Sequence, residues 1–118
     1  MREKRLYKPI IELFNKLGYH KVQKEVPIFE NIITGKRVDL VFINGVKKSA
    51  VEVKVKDWEK ALFQAYLNAY FFDKSYVALP KDIVDKLNLE IFKSYHVGVI
   101  SVHKRHPEIV LEARGIAW

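Results

Sequence analysis

The sequence contains no cysteine. Disulfides and thiolate zinc centres are therefore excluded, and a reducing compartment suits the chain. Glycine and proline are sparse, at five and four residues. They fall singly between patterned stretches, so there is no linker, low-complexity tract or internal repeat. No apolar run approaches membrane-spanning length. The opening MREKRLYKPI is too charged for a signal peptide, and a cytoplasmic location is expected. Acidic residues are outnumbered, 14 against 21 Lys and Arg, for a net charge of +7. Such an excess concentrates polyanions at the surface. Nucleic acid is the first partner to consider and an anionic membrane the second.

What is present suffices for one folded unit. The chain has 118 residues, 49% hydrophobic and 30% charged, which fits a single domain over 1–118 with its own core and no need of disulfides or metal clips. Leu6, Ile10, Leu13, Phe14 and Leu17 recur at helical spacing across 4–17, with Gly18 as the stop and Pro9 implying a late start or a kink. Residues 20–29 read as a strand that Pro27 assigns to an edge. Thr34-Gly35-Lys36 reads as a turn, 37–43 as a second strand and 49–55 as a third, joined by Asn44-Gly45, a strong hairpin signal. Alternation in the third strand sets Val51, Val53 and Val55 on one side and Glu52, Lys54 and Lys56 on the other. Residues 57–72 read as a helix with Asp57 at its N-cap and apolar groups around most of its circumference, which suits burial or a subunit interface. A strand over 74–79, a helix over 81–94 and strands over 96–102 and 108–112 complete the chain. This order predicts an α/β fold with a mixed sheet and helices on its faces.

Asp39 stands inside an otherwise apolar strand, where aspartate is depleted. Thirteen positions on, Glu52 lies in the next strand, with Lys54 on the same face. Folded as a hairpin, the strands bring the two carboxylates together, a costly arrangement unless a cation neutralises them. Mg²⁺ or Mn²⁺ does so with one or two carboxylates plus waters and phosphate oxygens, and the Val53 carbonyl offers a further oxygen. Lys54 can then stabilise charge that develops on a phosphate. Lys36, Arg37 and Lys56 are candidates for binding the nucleic-acid backbone.

The string RVDLVF, the thirteen-residue interval and the Glu52-Val53-Lys54 triplet resemble the PD-(D/E)XK nuclease superfamily, which includes restriction endonucleases and archaeal Holliday junction resolvases. The resemblance covers roughly residues 5–80. It implies an αβββαβ restriction-endonuclease-like core, metal-dependent hydrolysis of DNA, frequent dimerisation, and a role for Gln64 on the helix after the third strand. Val38 replaces the proline that usually precedes the first acid. Many members also carry an acid on the first helix. Here Glu12 is the candidate, beside Glu3 and, on the first strand, Glu25.

Blander readings accompany these. Val-Glu-Val-Lys-Val-Lys also describes a half-solvated strand with paired surface charges. Aromatics between Trp58 and Phe72 at helical spacing suit core or dimer contacts better than base stacking. His103 and His106 flank a basic turn, which suits solvent better than zinc. The rivals to a nuclease are thus a binding module of the same fold without turnover, and a structural or interaction subunit.

Overall fold

The computed structural model of the chain describes residues 2–27 and 37–116. The expected turn Thr34-Gly35-Lys36, with Lys36 itself, lies outside the described residues, as does the end of the first expected strand.

A 3-10 turn, Glu3–Leu6, leads into α1, Tyr7–Lys16. Pro9 falls in the first turn of α1, where backbone N–H groups have no helical partner to lose. Leu6, Ile10 and Phe14, spaced by four, are buried. Phe14 stacks on Phe42 with ring centroids 4.2 Å apart and meets Tyr76 edge-on, which fixes α1 against the sheet. The stop at Gly18 is a Schellman turn: Gly18 takes φ +99, its N–H donates to Asn15 O at 3.1 Å, and the Tyr19 N–H donates to Phe14 O at 2.9 Å. The glycine supplies the left-handed residue that the motif requires.

Among the described residues six strands form one sheet: β1 Lys21–Pro27, β2 Arg37–Asn44, β3 Lys47–Val53, β4 Lys74–Pro80, β5 Val97–His103 and β6 His106–Leu111. Their order in space follows the chain. β1, β2 and β3 are antiparallel neighbours, β3, β4 and β5 are parallel, and β6 returns antiparallel. As expected from Pro27, β1 is an edge. The hairpin between β2 and β3 closes one residue later than Asn44-Gly45 suggests, because Asn44 still pairs with Lys47. Gly45, at φ +60, opens the two-residue loop, the position that a type II′ turn reserves for glycine. β3 therefore begins at Lys47 and ends at Val53, so Val55 and Lys56 lie beyond it.

The parallel pairs need crossovers. α2, Trp58–Asn68, joins β3 to β4, and the short helices α3, Lys81–Val84, and α4, Leu89–Ser94, join β4 to β5. α2 is shorter than the expected helix 57–72. After Asn68 the chain tightens into a turn, with Tyr70 N donating to Leu67 O and Phe71 N to Asn68 O. Asp57 does stand at the N-cap, but in the left-handed region at φ +55 and without a capping bond from its side chain. The expected helix 81–94 is broken in two, because the Asn88 side chain accepts the Glu90 N–H and caps α4 itself. One core joins α1 to the sheet through Phe14, Phe42, Val51 and Ile100. A second packs α2, α3 and α4 on Val77, Leu79 and Val99. Among the described residues no helix is long and apolar enough to cross a membrane.

Candidate functional site

The register of β2 and β3 decides where Asp39 and Glu52 lie. Backbone pairing runs from Asn44–Lys47 to Leu40–Val51, so one further step sets Asp39 opposite Glu52. Pairing stops there although both strands continue. The Asp39 carboxylate takes the free Val53 N–H instead, with Oδ2 accepting at 2.8 Å. The other flank of Asp39 is interrupted too. β1 pairs Lys24 with Leu40 and Val26 with Val38, skipping Glu25, which sits in the left-handed region at φ +53. The sheet is thus opened on both sides of Asp39.

β3 lies in the middle of the sheet, and its last five residues are buried. The half-solvated strand suggested by the alternating charges is therefore not what forms: Glu52 is only 3% exposed. Its Oε2 accepts from Asn68 Nδ2 at 2.9 Å, and Asn68 is itself buried on α2. The Glu52 and Asp39 carboxyl groups are also in hydrogen-bonding contact. Burial, then the Asp39 charge, push the Glu52 carboxyl up to about 8, against the opposing effects of Asn68 and Lys54. Burial likewise raises Asp39, against the Val53 N–H, Glu52 and Lys54. Two carboxyls in contact cannot readily both ionise in a desolvated setting, so near neutral pH the pair shares one proton.

Lys54 follows at the end of β3, its backbone N–H bonded to Ala78 O at 3.1 Å and its charge acting on both carboxyls. The structure therefore brings together Asp39, Glu52, Val53 and Lys54. Gln64, one helical turn before Asn68 on α2, has a buried Oε1 without a hydrogen-bond partner. Arg37 and Lys56 are exposed, and the Arg37 guanidinium donates to the Glu25 carbonyl at 3.3 Å. Glu12 is exposed on α1 and lines an open groove with Lys4, Lys8 and Glu25. The helix-side acid whose charge reaches Asp39 is instead Glu3.

Sequence reading missed two residues. Asn68 had a signal in its spacing of four from Gln64, which places both amides on one side of α2. Tyr7 had none. Its hydroxyl bonds Asp39, and burial followed by the charge of Asp39 raises its pKa above the usual tyrosine value. Replacing Asn68 with alanine strips Glu52 of a buried donor and should lower stability by about 1–3 kcal/mol. Urea unfolding should show this loss shrinking by at least half in a Glu52→Ala background. Equal losses in both backgrounds would mean that the bond contributes nothing.

The donor set fits a hard divalent cation. Beyond the bonds to Val53 and Asn68, the two carboxyls are joined to each other and to the Tyr7 hydroxyl, and a cation would take the place of the proton they share; oxygen is the donor that Mg²⁺ prefers. No group of three or more His, Asp or Glu side chains suited to a metal occurs among the described residues, so further coordination would fall to backbone carbonyl, water or phosphate.

The fold defines a mixed α/β protein with an α-β-β-β-α-β start. By sequence, no family model and no curated protein matches the chain. Among solved structures it is similar to a protein of unknown function from Silicibacter pomeroyi, with a TM-score of 0.71 at 18% identity over 99% of this chain and 75% of that one. The likeness is one of fold.

Proposed function

We propose that the chain is a restriction-endonuclease-like nuclease domain of the PD-(D/E)XK type, which hydrolyses phosphodiester bonds in DNA with Mg²⁺ or Mn²⁺. The observation that carries this reading is the contact between buried Glu52 and half-buried Asp39 beside Lys54, set in the order α-β-β-β-α-β. A fold gains nothing from forcing two desolvated carboxyls together, whereas a cation site requires them. In this reading Asp39, Glu52 and the Val53 carbonyl hold the cation, which supplies Lewis acidity and a water made easier to deprotonate. Lys54 stabilises negative charge as it grows on the phosphate. Gln64, with its unpartnered oxygen one turn from Asn68, orients the water or the phosphate. Arg37, Lys56 and Lys36 border the nucleic acid. Glu12 is the candidate fourth acid, with Glu3 better placed to act on Asp39. Among the described residues nothing marks a base-reading element, so in this reading action is structure-specific or non-specific. A homodimer would form through the exposed Phe63 and Phe71 in and after α2.

The test is cleavage of linear, nicked and branched duplex DNA with Mg²⁺ or Mn²⁺, set against Glu52→Ala. Cleavage by the natural chain alone supports the reading. DNA binding without cleavage would make the chain a binding module, and neither would leave an interaction subunit.

A further inference from the structure

Beside α1 an open groove of about 860 Å³ is lined by Lys4, Arg5, Lys8, Lys104 and Arg105, with Glu12 the single acid among the described residues that line it. A neighbouring groove of about 580 Å³ shares Lys4, Lys8 and Glu12 and reaches Tyr7, whose hydroxyl bonds Asp39. The two grooves adjoin through these shared residues and, as a trough, reach from Tyr7, beside Asp39, to the tip of the last hairpin. Two segments distant in sequence supply its cations. Lys4, Arg5 and Lys8 come from the 3-10 turn and α1, and Lys104 and Arg105 form the two-residue loop between the paired His103 and His106.

Most of these charges have no ion-pair partner among the described residues. Lys4 lies 3.9 Å from Glu25, but Arg5, Lys8, Lys104 and Arg105 form no ion pair among the described residues. Lys104 also holds φ +56, a position that glycine or asparagine would fill with less strain. A membrane is the poorer occupant. Lipid surfaces take up apolar side chains alongside cations, and the exposed Phe63, Phe71, Ile91 and Tyr95 lie in or next to α2 and α4 rather than along this trough. A concave row of cations, all but Lys4 without an ion-pair partner among the described residues, suits a line of phosphates.

We propose that this trough is a phosphate track that seats the DNA backbone across α1 and the Lys104-Arg105 loop, and so sets the strand over Asp39 and Glu52; it rests on the nuclease reading. The longest dimension of the chain, 33 Å, spans roughly ten base steps at about 3.4 Å each. A duplex of about 20 base pairs is therefore a suitable probe.

Binding is measured in EDTA over a range of salt, so that no cleavage occurs. Lys104→Gln with Arg105→Gln should make the slope of log affinity against log salt shallower by about 1.8, at about 0.9 for each phosphate no longer neutralised. Lys8→Gln, from the other wall, should remove about 0.9. Lys86→Gln with Lys93→Gln subtracts the same charge in the turn after α3 and on α4 and should leave the slope unchanged. If the two double variants have equal slopes while the natural chain binds and cleaves DNA, the track is overturned and the nuclease reading stands. If the natural chain neither binds nor cleaves, that reading falls and the track with it. Loss of binding to phosphatidylserine vesicles in the loop variant, with its DNA slope intact, would also overturn the track.

Discussion

Lys54→Ala should cut phosphodiester hydrolysis by on the order of 100-fold or more, the usual effect of removing a preorganised donor to developing negative charge. Its affinity for Mn²⁺ should hold or tighten slightly. An ammonium cannot coordinate a cation, and the Lys54 charge that acts on Asp39 and Glu52 would only repel one. Glu52→Ala should abolish both cleavage and metal binding, because the ion loses a direct oxygen ligand. The contrast separates a residue that holds the ion from one that acts on charge appearing during reaction. Lys56 is the control. It is exposed beyond the end of β3, and Lys56→Ala should weaken DNA binding more than turnover. Titration calorimetry with Mn²⁺ beside single-turnover cleavage would resolve the three. Mild and equal effects at Lys54 and Lys56 would sink the nuclease reading.

Mn²⁺ affinity should climb about tenfold per pH unit as the cation displaces the proton on Glu52, and level off above about 8, where that carboxyl is already ionised. Stability without metal should move the other way. The Glu52 carboxyl titrates at 4.5 in its ordinary setting and at about 8 when buried beside Asp39. The folded chain thus holds a proton that the unfolded chain releases. That contribution is fully present below 4.5 and is lost as pH rises to about 8. The Tm of the metal-free protein should therefore fall across this window, Mn²⁺ should restore it at the upper end, and Glu52→Gln should remove the dependence. A Tm for Glu52→Gln that tracks the natural chain across the window would assign the effect to other groups.

The two carboxylates were legible because strand periodicity and a glycine turn operate over a few residues. Asp39 in an apolar run and Glu52 after the turn needed only a hairpin to meet, and a one-residue error in the loop left them on facing strands. Burial was not legible. Val-Glu-Val-Lys alternates whether or not a helix covers it, and only the parallel pairing of β3 with β4, with Asn68 above, makes Glu52 an interior residue. Helix ends were misjudged where side chains rather than hydrophobic period decide them. Asn88 caps its own helix, and Asp57 occupies a cap position without capping. Tyr7 meets Asp39 across more than thirty residues of chain, a contact set by how α1 packs, which no local pattern encodes.

The two outer strands also govern how copies of the chain can meet. An unpaired strand edge offers backbone donors and acceptors to any similar edge. On β1 that invitation is blunted by exposed Lys21, Gln23, Lys24 and Glu25, by the left-handed backbone at Glu25, and by Pro27, which has no N–H to give. On β6, exposed His106 and Glu108 flank Pro107. Both borders thus resist extension of the sheet from one molecule into the next, which protects the chain against fibre-like stacking. Any self-association would then fall to side-chain surfaces, where its strength is set by shape and apolar area rather than by the repeating backbone.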